Sequence, residues 1–482
     1  MANGIYYVDD YSGTDYAKIT AAVSAAHAAG GGKVALSNRA YYINQSIVLH
    51  RQIIFCGVGR SSSIVCSADV PIIQINRGTD EDSFYIEIRD MALSFSAMST
   101  TNSFHIEAEN PLRLIIYGVY FYALERQYSG VLTWNGSSRT EPINGGPSLS
   151  AFMTHIENCL FSHGSIWLND SDSRIINNYI WANSDVNNLD YAIRLSNKTV
   201  NVSGNDIVPG KHSGIYLAST TCNGVRIENN YFDGSWNGVN TGWGIYISEA
   251  THCLIIGNCF NNVYKGGIYS SLAHQLIISH NQFTELNRSG SSSTCYDVRI
   301  NGSSSQLSTG HIIEGNVHKR MFSGTKSYAV HIGSYAQASI VNNSLVDWGD
   351  SVSYRKPPFV IVNHGKYSLR KDNRVNDVSG TYPFQFDEGS VVVQNSIYPQ
   401  YVEVHFASDF SAQNIVPRIQ DIHINFIGAS ATSAVVFSIY DVTVSSFKIS
   451  FRPVCYKTLV DNQLVCTDST TDGTFFWRVS LQ

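Results

Sequence analysis

A single amphipathic helix is predicted near the start of the chain. Four apolar residues recur at the spacing i, i+3, i+4 and i+7, which places them on one face of a helix over residues 15–29: Ile19, Ala22, Val23 and Ala26. Thr14 or Asp15 can cap the first turn, and the glycines at 30–32 end the helix. Short β-branched and aromatic runs follow, so strands are predicted from residue 33 onward.

An asparagine repeat occupies the middle of the chain. From about residue 156, a unit of an apolar residue, one or two asparagines and another hydrophobe recurs. Its asparagines are Asn158, Asn178, Asn205, Asn230, Asn258, Asn281, Asn316, Asn343 and, in a weaker copy, Asn373. The eight steps between them average about 27 residues, which is typical of a parallel β-solenoid with turns of variable length.

Stacking explains why asparagine recurs at these positions. One coil cannot bury its inward side chains alone, so coils stack at about 4.8 Å and like residues lie over like residues. Asparagine tolerates left-handed backbone geometry and can hydrogen-bond a neighbouring backbone group. We therefore expect a structural column of asparagines at one bend of every coil.

A second repeat lies between the asparagine motifs and predicts an outward column. In each copy a polar or aromatic residue stands between two apolar residues, and strand alternation puts this middle residue outside. The column comprises Trp167, Arg194, Tyr216, Tyr246, Tyr269, Arg299 and His331. At about 4.8 Å per coil it extends for roughly 30 Å.

The pattern divides the chain into three parts. Residues 1–50 form an N-terminal cap with the helix and the first strands, and residues 51–387 form the parallel β-helix, with an inserted loop at about 122–155. From 388 to 482 the asparagine motif stops and longer alternating strands predict an antiparallel β-sandwich. The fold class is therefore all-β.

Composition excludes several classes of protein. The net charge of −6 disfavours a nucleic-acid binder, which needs a basic face against the phosphates. The nine cysteines include no C-x-x-C, so they predict buried free thiols and neither a disulfide framework nor a zinc cluster. The chain shows neither a signal peptide nor an apolar run long enough to span a membrane, and no motif calls for a cofactor or metal. We expect synthesis in the cytoplasm and, if the protein acts extracellularly, exit by another route.

The beginning of the chain resembles a known superfamily. A short helix followed by Gly30-Gly31-Gly32-Lys33-Val34, then Tyr41-Tyr42-Ile43 and Gly57-Val58-Gly59, resembles the first coil of the pectate-lyase-like right-handed parallel β-helix. The usual Pro-Ala-Gly turn before the tyrosine is replaced by residues 37–40. The combination of cap, coils and C-terminal β-domain resembles bacteriophage tailspikes, which are capsule or O-antigen depolymerases.

This resemblance implies a set of partners. It predicts a homotrimer that acts in the tail of a virion during host adsorption and binds a bacterial surface polysaccharide. Tailspikes often begin with a particle-binding domain, whereas this chain starts almost directly at the cap helix. We expect contact with a phage tail or adaptor protein through a very short N-terminus, or a fragment that lacks its anchor.

The outward column suits a glycan groove between residues 211 and 299, although a subunit interface would favour the same residue types. The predicted substrate-binding residues are Tyr216, Tyr246, Tyr269, Trp236, Trp243, Arg299 and His212. Gly214, Gly244 and Gly267 are expected to open the surface beside them.

Glycoside hydrolysis by paired carboxylates is the preferred reaction, because coils one or two steps apart supply the required separations. The candidate catalytic residues are Asp233, Glu249, Glu285 and Asp297. One alternative is a lyase acting on a uronate, for which the available groups are Lys211, His212, Lys265, Arg288, Arg299 and Tyr246. A further alternative is an adhesin that binds glycan without cleaving it.

Overall fold

A computed structural model describes most of the chain up to residue 346 and a series of strands after it. The described ranges are 4–75, 84–96, 103–122, 130–134, 153–182, 189–234, 242–284, 286, 295–319, 327–333 and 335–346. Twelve further segments, all strands, are described between residues 359 and 479. Within the described residues, no helix is long and apolar enough to cross a membrane.

The predicted cap helix is present as Asp15–Ala28, after a short 3-10 helix at Val8–Asp10. Thr14 Oγ1 accepts a hydrogen bond from the amide of Ala17 at 3.3 Å and so caps the first turn. The four residues predicted to face inward are the buried ones of this helix. The cap helix packs on the first strands and covers the end of the stacked coils, which a solenoid needs because its terminal coil has no neighbour.

Three long sheets, which we call A, B and C, run the length of the coiled region. Sheet A consists of Ile5–Tyr7, Gly32–Ala35, Ile53–Cys56, Phe84–Arg89, Leu112–Tyr117, His155–Glu157, Arg174–Ile176, Asn201–Ser203, Arg226–Glu228, Leu254–Ile256, Ile277–Ser279, Ser308–Glu314, Ala336–Val341 and Leu369–Lys371.

Sheet B takes the second strand of each coil. It consists of Ala40–Ile43, Ser63–Cys66, Ala92–Phe95, Tyr120–Tyr122, Leu160–Ser162, Tyr179–Trp181, Asp206–Val208, Tyr231–Asp233, Cys259–Asn261, Gln282–Thr284, Val317–Lys319, Ser344–Val346, Arg374–Asp377 and Gly380–Tyr382. Its last two strands pair antiparallel, and the others pair parallel.

Sheet C takes the third strand. It consists of Ile47–Val48, Ile73–Ile75, Ile106–Glu109, Gly130–Trp134, Ser165–Leu168, Tyr191–Leu195, Ser213–Leu217, Trp243–Thr251, Gly266–His274, Cys295–Ile300, Ser327–Ile332 and Phe359–Ile361. Consecutive coils pair in parallel, for example Ile215 with Ile245 and Ile245 with Ile268. The molecule is thus a parallel β-helix, as the asparagine spacing predicts.

The predicted asparagine column lies at the bend between sheets A and B. Seven asparagines from Asn178 to Asn343 are buried, and each one after Asn178 accepts a hydrogen bond from the amide of the asparagine before it, as Asn230 Oδ1 does from Asn205 at 3.0 Å. The residue preceding each of them adopts a positive φ, for instance 55° at Asn229. The column therefore satisfies the amides of a tight turn that would otherwise be buried without partners.

Two sequence predictions for the coils are wrong: the column residue of the first copy and the uninterrupted loop. A third concerns a residue outside the described ranges. In the first copy the column position is Cys159, whose amide donates to Asn178 Oδ1 at 2.9 Å. Asn158 instead takes the positive φ of 54° that the turn requires. The predicted loop at 122–155 is interrupted by Gly130–Trp134, because this segment pairs in parallel with both neighbouring coils of sheet C. Asn373 lies outside the described residues.

Stacked rings fill the interior between sheets B and C. Phe232, Phe260 and Phe283 lie over one another with ring centroids 4.6 and 4.9 Å apart. Fully buried isoleucines such as Ile245 and Ile255 surround them. Such columns bury much apolar surface without any helix layer, and dispersion between close-packed rings adds to the hydrophobic gain.

The described cysteines are free thiols, as the sequence predicts. Seven cysteines are described as free thiols, and all except Cys259 are buried.

The last strands are Glu388–Val393, Gln400–His405, Ile422–Gly428, Val435–Tyr440, Ser446–Pro453, Cys455–Val460, Gln463–Asp468 and Gly473–Val479. They pair antiparallel within three small sheets, and the β-sandwich stays a prediction.

Candidate functional site

The predicted outward column exists on sheet C, and we call it the aromatic ladder. The strand registers place its seven members directly side by side: Trp167, Arg194, Tyr216, Tyr246, Tyr269, Arg299 and His331. All seven are partly exposed, whereas the isoleucines beside them are buried. Alternation within each strand therefore separates a wall of rings from the core.

The rings of the aromatic ladder contact one another from coil to coil. Tyr216 lies 5.6 Å from Tyr246 in an edge arrangement, and Tyr246 stacks on Tyr269 at 4.8 Å between ring centroids. Asn301 Nδ2 donates to the Tyr269 hydroxyl at 3.2 Å. These contacts hold the rings in place. The tyrosine side chains therefore lose little conformational entropy when a ligand stacks on them.

A second column, which the sequence analysis missed except for Trp243, borders the ladder. Tyr191, Trp243, Tyr296 and Tyr328 stand three residues before the ladder position of their own strands. Tyr191 stacks on Tyr216 at 4.5 Å, and Trp243 lies 5.0 Å from Tyr269. Strict alternation does not reveal these residues, because two consecutive buried residues, such as Gly244 and Ile245, separate the two columns.

Two arginines lie among these rings. The Arg194 guanidinium carbon is 5.1 Å from the centre of the Trp167 ring, and that of Arg299 is 4.7 Å from Tyr296 and 5.7 Å from Tyr269. Distances of this kind give cation–π attraction. The arginines therefore lie over the rings.

Two histidines, one beside the aromatic ladder and one at its end, are neutral at pH 7. Burial, together with nearby Lys265, lowers the pKa of His212, whose ring lies 4.4 Å from that of Tyr246. Burial and Arg299 lower the pKa of His331 to about 4. Neutral rings at these places add to the apolar contact surface and leave the positive charge to arginine and lysine.

The glycines predicted to open the surface instead face the interior. A β-carbon on Gly244 would lie 2.5 Å from the Phe260 ring, and one on Gly267 would lie 2.4 Å from Phe283. Gly214 stands in the same relation to Phe232. The glycines leave room for the phenylalanine stack, so the prediction that they widen the outer groove is wrong.

The candidate carboxylates do not form one group. Asp297 is buried in the interior with its Oδ2 2.8 Å from His318 Nδ1, so it does not lie on the outer surface as expected. Glu249 lies partly exposed on sheet C, opposite Leu272. Glu285, Trp236 and Arg288 lie outside the described residues.

Asp233 lies on the outer face of sheet B, next to a carboxylate that the sequence analysis missed. Asp206 lies on the preceding coil, opposite Tyr231. It is therefore offset from Asp233 by two residues along the strand. With strands about 4.8 Å apart and residues two apart separated by about 6.6 Å, their Cα atoms are about 8 Å apart. Tyr179, Trp181 and Tyr231 are exposed on the same face.

The surroundings of the two aspartates favour the protonated forms. Burial raises the pKa of Asp206, and the charge of Asp233 raises it further. Burial also raises the pKa of Asp233, which a hydrogen bond from Asn261 partly offsets. Asp233 Oδ1 is buried and has no hydrogen-bond partner among the described residues. Two nearby carboxyl groups with raised pKa values hold a proton to higher pH than ordinary aspartates, which is the property that a general acid needs.

Asp233 and Trp243 flank the same loop. Asp233 ends its strand in sheet B, Trp243 begins the next strand in sheet C, and residues 235–241 lie between them. The carboxylate pair and the aromatic ladder therefore lie on adjoining faces of one coil.

Sequence comparisons cover only part of the chain. Residues 123–271 match the family described as periplasmic copper-binding protein (NosD). No curated protein matches the sequence. Within the described ranges, no group of three or more histidine, cysteine, aspartate or glutamate side chains could hold a metal ion. The family match covers less than half of the chain, so it does not establish the family of this protein.

Solved structures share the fold. The Dettilon tailspike protein gp208 matches with a TM-score of 0.53 and 12% identity, over 98% of this chain and 93% of its own. The tailspike gp61 of Pseudomonas phage phi297 matches with a TM-score of 0.47 and 12% identity over 100% of both chains. The A-module of mannuronan C-5 epimerase AlgE6 from Azotobacter vinelandii has a TM-score of 0.47 and 14% identity, over 77% of this chain and 99% of its own.

Structural matches at such low sequence identity show the fold alone. The likeness to the Dettilon tailspike confirms the right-handed parallel β-helix that the cap and the coils predicted. The resemblance to tailspikes is thereby confirmed as a structural one.

Proposed function

We propose that this protein is a bacteriophage tailspike that binds a bacterial surface polysaccharide and cleaves it within the chain. The aromatic ladder is the observation that carries the proposal. Sugar rings present apolar C–H faces that stack on aromatic side chains, and an extended row of fixed rings suits an extended polymer. Six coil-to-coil steps separate Trp167 from His331, a length of roughly 29 Å.

Hydrolysis is the preferred reaction, and the neighbouring aspartates support it. Retaining glycosidases hold two carboxyl groups about 5 to 5.5 Å apart, and inverting ones about 6.5 to 9.5 Å apart. A Cα separation of about 8 Å on adjacent coils allows either spacing. Asp206 and Asp233 are the pair that we propose for this role, with Glu249 as the further carboxylate near the aromatic ladder.

The virion assignment follows from the same proposal. The Dettilon protein, with which this chain shares its fold over 98% of its length, is a tailspike. We infer a homotrimer in the phage tail and attachment through the N-terminus to a tail or adaptor protein. Light scattering tests the trimer, and a stable monomer of 53.2 kDa would contradict it.

Cleavage assays decide between the enzyme and the adhesin. The protein is incubated with capsular polysaccharides from a panel of bacterial strains, and the products are sized by gel filtration. Shortened chains with new reducing ends support hydrolysis, whereas products that absorb near 235 nm indicate an unsaturated uronate and hence a lyase. Binding without shortening supports the adhesin. If no polysaccharide is bound, the proposal fails.

A further inference from the structure

We propose that the end of the aromatic ladder around Arg299 is a subsite for a carboxylate-bearing sugar, so that the substrate is an acidic polysaccharide. This inference rests on the proposed function and narrows its substrate class.

Arg299 lies over two aromatic rings and has no countercharge among the described residues. Its guanidinium lies over Tyr296 and Tyr269, and its Nε is covered and has no hydrogen-bond partner among the described residues. No described carboxylate forms an ion pair with Arg299, whereas Arg226 on sheet A pairs with Glu228 at 2.7 Å. A cation that is partly desolvated and unpaired costs free energy in the unliganded protein. A bound carboxylate would remove that cost.

The chemistry of the arginine selects the ligand. The two outer nitrogens of a guanidinium present parallel donors that match the two oxygens of a carboxylate. Because the guanidinium already lies over Tyr296 and Tyr269, part of its position is organised before a ligand binds. A neutral sugar offers only hydroxyls and would leave the charge of Arg299 unpaired.

The neighbours of Arg299 keep the subsite positive. His331, on the next coil, is neutral and cannot compete for a bound anion as a second cation. Asp297 faces the interior toward His318. Further along the face, Lys211 and Lys265 are exposed. Arg299 therefore carries a local positive charge in a chain whose net charge is −6.

Position on the aromatic ladder sets how the sugar lies. Tyr269 is directly opposite Arg299, and Tyr246 is opposite Tyr269. A sugar that stacks on Tyr269 would hold an equatorial substituent about one coil spacing away, roughly 4.8 Å, at the guanidinium. The carboxyl group of a uronate or of a pyruvate ketal is such a substituent.

The test compares protein variants with chemically matched glycans. Each capsular polysaccharide that the wild type binds is also prepared in carboxyl-reduced form, by carbodiimide activation and borohydride treatment, which turns each uronate into the neutral sugar. Dissociation constants are measured by biolayer interferometry for the wild type, Arg299→Gln, Arg299→Lys and the control Arg226→Gln. Thermal melting checks that each variant is folded.

We expect reduction of the glycan to weaken wild-type binding about 10- to 100-fold, the scale of charge-assisted hydrogen bonds. Arg299→Gln should show a similar loss on the native glycan and no additional loss on the reduced one. Arg299→Lys should recover part of the binding, and Arg226→Gln should behave as the wild type.

Three other results separate a failure of the acidic subsite from a failure of the proposed function. Equal binding of the native and reduced glycans, or a ligand that carries no carboxylate, overturns the acidic subsite while leaving the proposed function intact. An equal loss for Arg299→Gln on both glycans also overturns it, since the arginine would then only position the rings. Failure to bind any polysaccharide contradicts the proposed function itself.

Discussion

Asp297 and His318 form a buried pair that replaces a glycine and a phenylalanine of the neighbouring coils. His318 Nδ1 lies 2.8 Å from Asp297 Oδ2, and both side chains are almost fully buried. His318 continues the stack on Phe283 at 5.0 Å, and Asp297 occupies the position of Gly267 one coil later. The polar pair thus links sheets B and C where the other coils use a ring packed on a glycine.

The first prediction concerns this replacement. His318→Phe removes the imidazole partner of a buried carboxylate, so we expect it to lower the free energy of unfolding by about 3–5 kcal/mol. Asp297→Gly combined with His318→Phe recreates the glycine and phenylalanine pair and should recover most of that loss. Guanidinium unfolding measures both variants. A double variant as unstable as the single one would show that the pair is not interchangeable.

A second prediction concerns the asparagine column. Asn258 accepts from the Asn230 amide at 3.0 Å and donates to the Ile227 carbonyl at 2.9 Å. Asn258→Ala leaves both buried groups unsatisfied, so we expect a loss of about 3 kcal/mol in the free energy of unfolding. The exposed Asn223→Ala serves as control and should change the unfolding midpoint little. Equal effects of the two variants would exclude a structural column.

Stability should also depend on pH through Asp170. Full burial raises the pKa of this side chain to about 6, against a usual 3.8. The folded state holds the proton of Asp170 more tightly than the unfolded state does. The contribution of Asp170 to the free energy of unfolding is therefore present below pH 4 and is lost as the pH rises through 6. Asp170→Asn should therefore stabilise the protein at pH 7.5 by up to about 3 kcal/mol and have little effect at pH 4. Melting temperatures at both pH values test this, and a destabilised variant at pH 7.5 would contradict it.

Glycan binding should depend on the stacked tyrosines. Tyr246→Ala removes a ring that stacks on Tyr269 at 4.8 Å, and we expect about tenfold weaker polysaccharide binding with a smaller change in turnover. Tyr42→Ala, which removes an exposed ring far along sheet B, is the control. If Tyr246→Ala dissociated the trimer instead, the ladder would be a subunit interface.

Catalysis should depend on the carboxylate pair. Asp233→Asn and Asp206→Asn should each lower turnover by two or more decades with melting unchanged, the scale of lost acid–base catalysis. Glu249→Gln tests the remaining candidate near the aromatic ladder, and Glu314→Gln on sheet A is the control. Because the pKa values of both aspartates are raised, activity should fall on acidification at a higher pH than an ordinary aspartate would give. Full activity of all three variants would place the site elsewhere.

Much of the architecture could be predicted from the sequence. The cap helix, the asparagines from Asn178 to Asn343 and the ladder from Trp167 to His331 all follow from periodicity. In a solenoid each coil repeats the one before it, so residues that recur in sequence also meet in space. The period therefore reports long-range contacts directly, which is rare in other folds.

Tertiary structure decided which way the remaining side chains face. Gly244 and Ile245 are consecutive and both point inward, because the strand begins where the chain bends around the phenylalanine stack. Simple alternation misassigned such glycines, and it misassigned Asp297 for the same reason. The meeting of Asp206 with Asp233 was equally hidden, since loops of unequal length separate the coils and only the register of paired strands brings these two residues together. Periodicity in the sequence determined the stack of coils, whereas the bend geometry and strand register determined where the chemistry lies.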